Sequence, residues 1–254
     1  LDTGRRTAAE NMALDDVLLE CRGNDLNPNT VRFLRFDPPA VLVGYHQDVE
    51  HEVRLDFVER NGIDINRRVT GGGAIYFDRP SLGWEVVASK DAIPSYQSME
   101  ELFKIMCKGA VHALNNLGIR AAFRPKNDIE VNGRKISGTG GVEREEAFLF
   151  QGTLLVDFDI ETMLRCLKIP IMKLKDKELT SAKDRVTCIK RELGYQPSYR
   201  AIKEALRRGF ERTFAVRLLK GSLTAVEKRS LAQKLPTFQS DEWIFLDRRP
   251  PNEA

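Results

Sequence analysis

The sequence predicts an α+β fold, with mixed or antiparallel β-sheets packed against helices and a helical C-terminal portion. Three observations lead there. Short β-prone runs, several alternating with period two, recur up to Val156. Capping-box spacings open helices at Thr7, Ser98 and Thr224. From Ile160 onward the pattern turns helical, through Ile202, Leu206 and Phe210 among others.

Taken in order, Thr7-Ala8-Ala9-Glu10 opens a first helix over about 8–22, since Met12, Leu14, Val17, Leu18 and Cys21 recur at helical intervals. Thr30–Phe36 alternates, Asp37-Pro38-Pro39 turns the chain, and Ala40–Gly44 is a short apolar run, which together predict a hairpin. A short helix follows from Val53 to Asn61, ended by Gly62. Gly83–Ala88 reads as a strand, and Ser98 opens a long helix to about Leu117. Ile119–Phe123 is a further strand. Asn127–Val131 runs into Asn132-Gly133, the pair that favours a type I′ hairpin turn, with Phe148–Val156 as a later partner strand. Helices are then expected over 160–167, 181–193 and 198–214, with a last one opening at Thr224. Lys173–Glu178 reads as a solvated loop of mixed charge.

The 254 residues suffice for a sizeable core. A formal net charge of +3 argues for neither nucleic acid nor a membrane surface as partner, so any basic site must be local. Four cysteines, Cys21, Cys107, Cys166 and Cys188, are widely spaced without a C-x-x-C pair and read as reduced packing thiols of a cytoplasmic protein. His112 lies among apolar helical neighbours, where a packed or surface histidine is the expectation rather than a metal ligand. No apolar run reaches the roughly 20 residues of a membrane span.

The chemistry gathers in three segments. The first is Arg67-Arg68-Val69-Thr70-Gly71-Gly72-Gly73-Ala74-Ile75-Tyr76-Phe77-Asp78, where two cations and three consecutive glycines interrupt a β-prone region. Such glycines pack nothing and let a backbone approach a ligand closely. The second is Asn127-Asp128 with Lys135 just past the hairpin turn; the third is Gly138-Thr139-Gly140-Gly141 with Gln151-Gly152-Thr153. Exposed amides with Arg68 and Lys135 would hold an anion by charge-assisted hydrogen bonds. The pattern fits neither the G-x-x-x-x-G-K-[ST] loop nor a G-x-G-x-x-G turn, and no cysteine or G-x-S-x-G lies in the three segments. Spacing alone thus points to an anion or nucleotide site, with a flexible connection and a solvated turn lysine as the plain alternatives.

In order and spacing, Arg67–Asp78, Asn127–Gly138 and Gln151–Asp157 resemble the three motifs of lipoate–protein ligases. The resemblance runs over about 10–245, through Val43-Gly44-Tyr45-His46-Gln47 to Glu242-Trp243, which looks like the end of the catalytic chain of the bipartite ligases. It implies a biotin/lipoate ligase-like catalytic domain over 1–254, helical from about 160, with no accessory domain in the chain. It also implies ATP and Mg²⁺ as cofactors, lipoate or octanoate as substrate, and an acyl-adenylate passed to a lysine of a lipoyl-acceptor protein. That acceptor would be a lipoyl domain, a glycine-cleavage H-like protein or a lipoate-binding protein, and a separate small accessory ligase subunit would be a further partner.

Carried over by resemblance, Lys135 is the essential cation at the acyl carbonyl and phosphate. Gly71, Gly72 and Gly73, beside Thr70 and Ala74, lie against acyl chain and adenylate. Arg68 reaches the phosphate, and Ile75, Tyr76 and Phe77 offer backbone to adenine. Asn127 and Asp128 sit near phosphate and metal, with Asp128 a Mg²⁺ ligand. Gly138, Thr139, Gln151, Gly152 and Thr153 complete the wall. The chain departs from the pattern at Phe77 and at Phe150-Gln151, where relatives carry histidines, and at Gly83-Trp84. Two alternatives stand beside the ligase: an octanoyltransferase taking its acyl group from acyl carrier protein through a cysteine thioester, and a non-catalytic lipoate-binding subunit.

Overall fold

The computed structural model describes residues 1–93, 98–125, 127–168 and 184–246. In chain order its strands are β1 (Asp2–Arg6), β2 (Thr30–Phe36), β3 (Ala40–Val43), β4 (Asp64–Arg67), β5 (Ile75–Phe77), β6 (Leu82–Ser89), β7 (Ala122–Arg124), β8 (Asp128–Val131), β9 (Arg134–Arg144) and β10 (Ala147–Leu154). The helices are α1 (Ala8–Gly23), α2 (Val49–Glu52), α3 (Leu55–Arg60), α4 (Met99–Asn116), α5 (Ile160–Cys166), α6 (Ile189–Leu193), α7 (Tyr199–Phe214), α8 (Ala225–Gln239) and α9 (Asp241–Ile244). Seven strands form one sheet in the order β1-β2-β6-β10-β9-β8-β7, mostly antiparallel, with β1 parallel to β2. A second sheet has the order β4-β3-β5, with β3 parallel to β4 and antiparallel to β5. The expected α+β class with mixed sheets therefore stands.

Helix starts follow the capping signals. The Thr7 hydroxyl accepts from the Glu10 amide while Glu10 accepts from the Thr7 amide, and Thr224 and Glu227 repeat the arrangement at α8. Both faces of the large sheet are covered, which is why the central strands β6 and β10 are apolar almost throughout instead of alternating. On one face Trp84, Val86, Phe148 and Phe150 meet Leu102, Met106 and Ala110 of α4 and Ile202, Leu206 and Phe210 of α7. On the other, Leu14, Val17 and Leu18 of α1 pack on Val87, Ala147 and Leu149. The Asn132-Gly133 turn takes positive φ at both residues, 50° and 76°, and joins β8 to β9 as expected.

Several expectations are corrected. Thr30–Phe36 and Ala40–Gly44 do not form a hairpin. Strand β2 already has partners on both edges, β1 and β6, so the chain turns at Asp37–Pro39 and starts the other sheet with β3. The helix expected over Val53–Asn61 is present as α3, beginning at Leu55 because Val53 is extended, at φ −120° and ψ 137°, and bridges Leu167, and the short α2 before it is not an expected element. The strand at Ile119–Phe123 begins later, at Ala122. The helix expected from Ser181 to Leu193 is interrupted: Asp184-Arg185 and Ile189–Leu193 are helical, but between them Val186 pairs with Lys135 as a β-bridge and Cys188 is extended. Ser181 itself and Lys173–Glu178 lie outside the described residues. His112 makes a structural contact, Nδ1 to Thr213 Oγ1 at 3.2 Å. Among the described residues no helix is long and apolar enough to cross a membrane.

Candidate functional site

Where the small sheet faces β2, β6, β10 and β9 of the large one, the chain encloses a cavity of about 330 Å³. The loop from Arg68 to Ala74 joins β4 to β5 and forms one wall. Its position is set from beneath. The Arg68 amide donates to Val43 O and the Tyr45 amide to Thr70 O. A Cβ on Gly44 would stand 1.9 Å from Gly72 O, so the backbones touch there and only glycine fits. Gly71 and Gly73 have open space where their side chains would be.

Arg68 reaches the cavity but does not project into it as a phosphate hook. Its guanidinium donates to Leu42 O at 2.7 Å, Gly73 O at 2.9 Å, Gly71 O at 3.2 Å and Thr70 Oγ1 at 3.3 Å. Burial lowers its pKa to about 10, with the charge of Asp15 opposing the shift. Arg68 is thus a clamp on the glycine loop and a source of positive potential behind it. Thr70 is fully buried and lies behind the wall, where its hydroxyl also accepts from Gln151 Nε2 at 2.8 Å.

Lys135 stands at the β9 side. Its Nζ lies 2.7 Å from Asp128 Oδ1, and a Cβ on Gly138 would meet Lys135 Cε and Nζ at 2.8 Å, so the lysine chain crosses where residue 138 has none. Its carbonyl accepts from the Thr187 amide, tying the bridge at Val186 to the site. Asn127 and Thr139 fasten each other: Thr139 Oγ1 donates to Asn127 O at 2.8 Å and Asn127 Nδ2 to Thr139 O at 3.3 Å.

Most residues singled out in the sequence converge on the cavity: Arg68, Gly71 to Phe77, Asn127, Lys135, Gly138, Thr139, and Gln151 to Thr153. Thr70 and Asp128 do not line it. Asp128 holds the Lys135 ammonium, and no group of three or more His, Cys, Asp or Glu suited to a metal occurs among the described residues.

Sequence reasoning missed the apolar walls. Met12, Leu34, Phe36 and Leu42 line the cavity beside Phe77, whose ring lies 4.5 Å from that of Phe36. Phe158, Met163 and Leu167 line it beside Tyr76. In the sequence these residues carry the same periodic signal as any core position. Glu85 also lines the cavity, with its charge met by Arg32 at 2.9 Å.

No cysteine lines the cavity. Cys107 sits behind its wall, Sγ 3.9 Å from Thr139 Oγ1, fully buried and with its pKa pushed up to about 12 by desolvation. Cys166 is pushed up likewise to about 12, Cys21 is raised by burial, and Cys188 alone is half-buried. At pH 8 the folded protein should therefore release close to one thiol per chain to a disulfide reagent, from Cys188, and the other three only on unfolding. Rapid labelling of Cys107 in the folded state would contradict this placement.

Comparison with known proteins gives a consistent result. Residues 7–211 match the lipoyl protein ligase A/B catalytic domain. The chain is 30% identical over 270 residues to octanoyltransferase LipM of Geobacillus kaustophilus, covering 96% of each chain. It is 34% identical over 225 residues to lipoate-protein ligase A subunit 1 of Thermoplasma acidophilum, covering 84% of this chain and 83% of that one. Among solved structures, a bipartite lipoate protein ligase of Thermoplasma acidophilum, studied with its E2 lipoyl domain, superposes with a TM-score of 0.85 at 27% identity over 100% of this chain and 97% of that one. A lipoate-protein ligase A bound with ATP gives 0.83 at 27% identity over 97% of each.

Proposed function

The chain belongs to the lipoyl protein ligase A/B catalytic-domain family, and on that premise we propose that it is a lipoate–protein ligase, activating lipoate or octanoate with ATP and passing the acyl group to a lysine of a lipoyl-acceptor protein. One observation carries the choice: a largely apolar cavity with the Lys135 ammonium on its wall and no thiol in it. In the first step a carboxylate oxygen attacks the α-phosphorus and pyrophosphate leaves. In the second, the acceptor amine attacks the acyl carbonyl and AMP leaves. Both steps build negative charge on oxygen. A fixed ammonium beside that oxygen stabilises it without itself reacting.

In this reading the tail lies against Met12, Leu34, Phe36, Leu42 and Phe77, and the open sides of Gly71 and Gly73 let the chain and adenylate pass close to backbone. Asp128 orients Lys135. Mg²⁺ would balance phosphate charge, with phosphate oxygens supplying most of its ligands; the protein's contribution is confined to the Asp128 neighbourhood.

The relatives favour a second reading. The likeness to octanoyltransferase LipM runs over 96% of both chains, and on the comparisons alone transfer of an octanoyl group without ATP has the better support. That chemistry needs a thiolate at the acyl carbonyl. Cys107 touches the wall residue Thr139 and Cys166 packs among the wall residues Tyr76, Met163 and Leu167, but both are buried with the thiol pushed up to about 12, poorly placed to attack. Intact-mass analysis after incubation with octanoyl-loaded carrier protein decides between them. The ligase reading expects no acyl adduct on the enzyme, and acceptor modification unchanged by Cys107→Ser. A stable octanoyl-enzyme that Cys107→Ser or Cys166→Ser abolishes would replace the ligase with the octanoyltransferase.

A further inference from the structure

Arg67 and Arg68 are adjacent at the end of β4 and hold different things. Arg68 clamps the glycine loop. Arg67, fully buried, donates to carbonyls on two separate segments: Gly44, Tyr45 and Gln47 at 3.2, 3.0 and 2.6 Å, and Trp243, Ile244 and Leu246 at 3.1, 3.0 and 2.6 Å. Trp243 returns the contact, its Nε1 donating to Arg67 O at 3.2 Å. Its ring packs on Phe238 at 4.6 Å and near Tyr45 at 6.3 Å. The Gly44–Gln47 turn that Arg67 holds is closed by the Gly44 amide on Gln47 Oε1. That turn bears directly on the site, through Tyr45 N to Thr70 O and the backbone contact of Gly44 with Gly72. A continuous series of contacts thus runs from α9, far along the chain, to the wall of the cavity.

We infer that Trp243 and Arg67 are positioning residues for the acyl site: by docking the α9 segment they fix the Gly44–Gln47 turn and, through it, the register of Gly71, Gly72 and Gly73. The effect acts on ligand binding more than on the chemical step, because the loop is a wall and Lys135 is held elsewhere, by Asp128. A loop without this support samples other positions, and binding must then reorder it, which lowers affinity. The inference rests on the proposal that this cavity is the acyl site.

Trp243→Phe tests it, since phenylalanine keeps much of the packing and removes the donor to Arg67 O. Hydrogen exchange in the ligand-free protein should rise about fivefold at the Tyr45 and Arg68 amides, which donate to Thr70 O and Val43 O and so report the seating of the loop, the worth of one neutral hydrogen bond, with the β6 and α4 amides unchanged. Trp243→Ala should raise it further. Arg67→Lys, with a compact ammonium in place of the five-donor fork, should do the same from the other end. KM for lipoate should rise by a similar factor while kcat stays within about twofold. Unchanged exchange at the Tyr45 and Arg68 amides in all three variants would overturn the inference. So would a loss of melting temperature and kcat with KM and loop exchange unmoved, which marks a merely structural role. The exchange measurement needs no ligand and decides the matter even if lipoate is not the substrate.

Discussion

Lys135→Ala is expected to lower acyl transfer by about 100- to 1,000-fold, the loss seen when a preorganised donor to a developing oxyanion is removed, with melting temperature nearly unchanged. The two magnitudes separate cleanly. As a structural element, Lys135 contributes one ion pair with Asp128 in which the lysine side chain is 39% exposed, and such pairs are worth about 0–1 kcal/mol. As a fixed charge beside an acyl carbonyl it contributes about 2.7–4 kcal/mol to the transition state. Lys135→Arg should recover little, because Gly138 leaves room for a lysine chain and a planar guanidinium aims its donors differently. A variant that keeps wild-type transfer would remove Lys135 from the proposed role.

Arg32→Met carries the largest expected loss of stability, about 3–5 kcal/mol. Arg32 is fully buried and donates to Asp15 at 2.6 Å, Glu85 at 2.9 Å, Asn11 Oδ1 at 2.6 Å and Thr3 Oγ1 at 3.0 Å. Removing it leaves two carboxylates side by side beneath the cavity floor. Burial already pushes the Asp15 carboxyl well above its ordinary range, with the Glu85 charge adding to the push and Arg32 opposing it. A carboxyl raised in the folded state favours folding at low pH, and that contribution fades as pH climbs through the folded value. Denaturant unfolding of Arg32→Met should accordingly show a smaller deficit at pH 5 than at pH 8. Adding Asp15→Asn and Glu85→Gln should restore part of the loss, because neutral groups are cheaper to bury than uncompensated charges. Equal stability of Arg32→Met and the wild type at pH 8 would contradict this account of the network.

Much of the fold was legible because its signals are local. Thr7–Glu10 and Thr224–Glu227 close the capping boxes their spacing implies, and Asn132-Gly133 turns as that pair should. The partner of a strand is not local. Alternation along Thr30–Phe36 says which residues face one way, but not that β1 and β6 would take both edges and send Ala40–Val43 to another sheet. The site shows the same division. Glycines in a β-prone run announce close approach, and Gly71 and Gly73 do leave space at the cavity. Two arginines beside them suggest an anion, yet Arg67 spends its donors on carbonyls of residues 44–47 and 243–246 and Arg68 on those of its own loop and Leu42. Where a long side chain points depends on which backbone arrives beside it, and that is a property of the assembled fold. The cavity walls were hidden for a related reason, since Met12, Leu34 and Phe36 look like core until two sheets fail to close completely over them.

The most direct test follows pyrophosphate and acceptor mass together, with purified protein, lipoate, ATP, Mg²⁺ and an apo lipoyl domain, supplemented in a parallel arm with a small accessory ligase subunit. The proposal predicts ATP-dependent pyrophosphate release matched by lipoyl mass on the acceptor in at least one arm, both lost in Lys135→Ala. Acceptor modification from octanoyl carrier protein without ATP, with no pyrophosphate from lipoate in either arm, would contradict it.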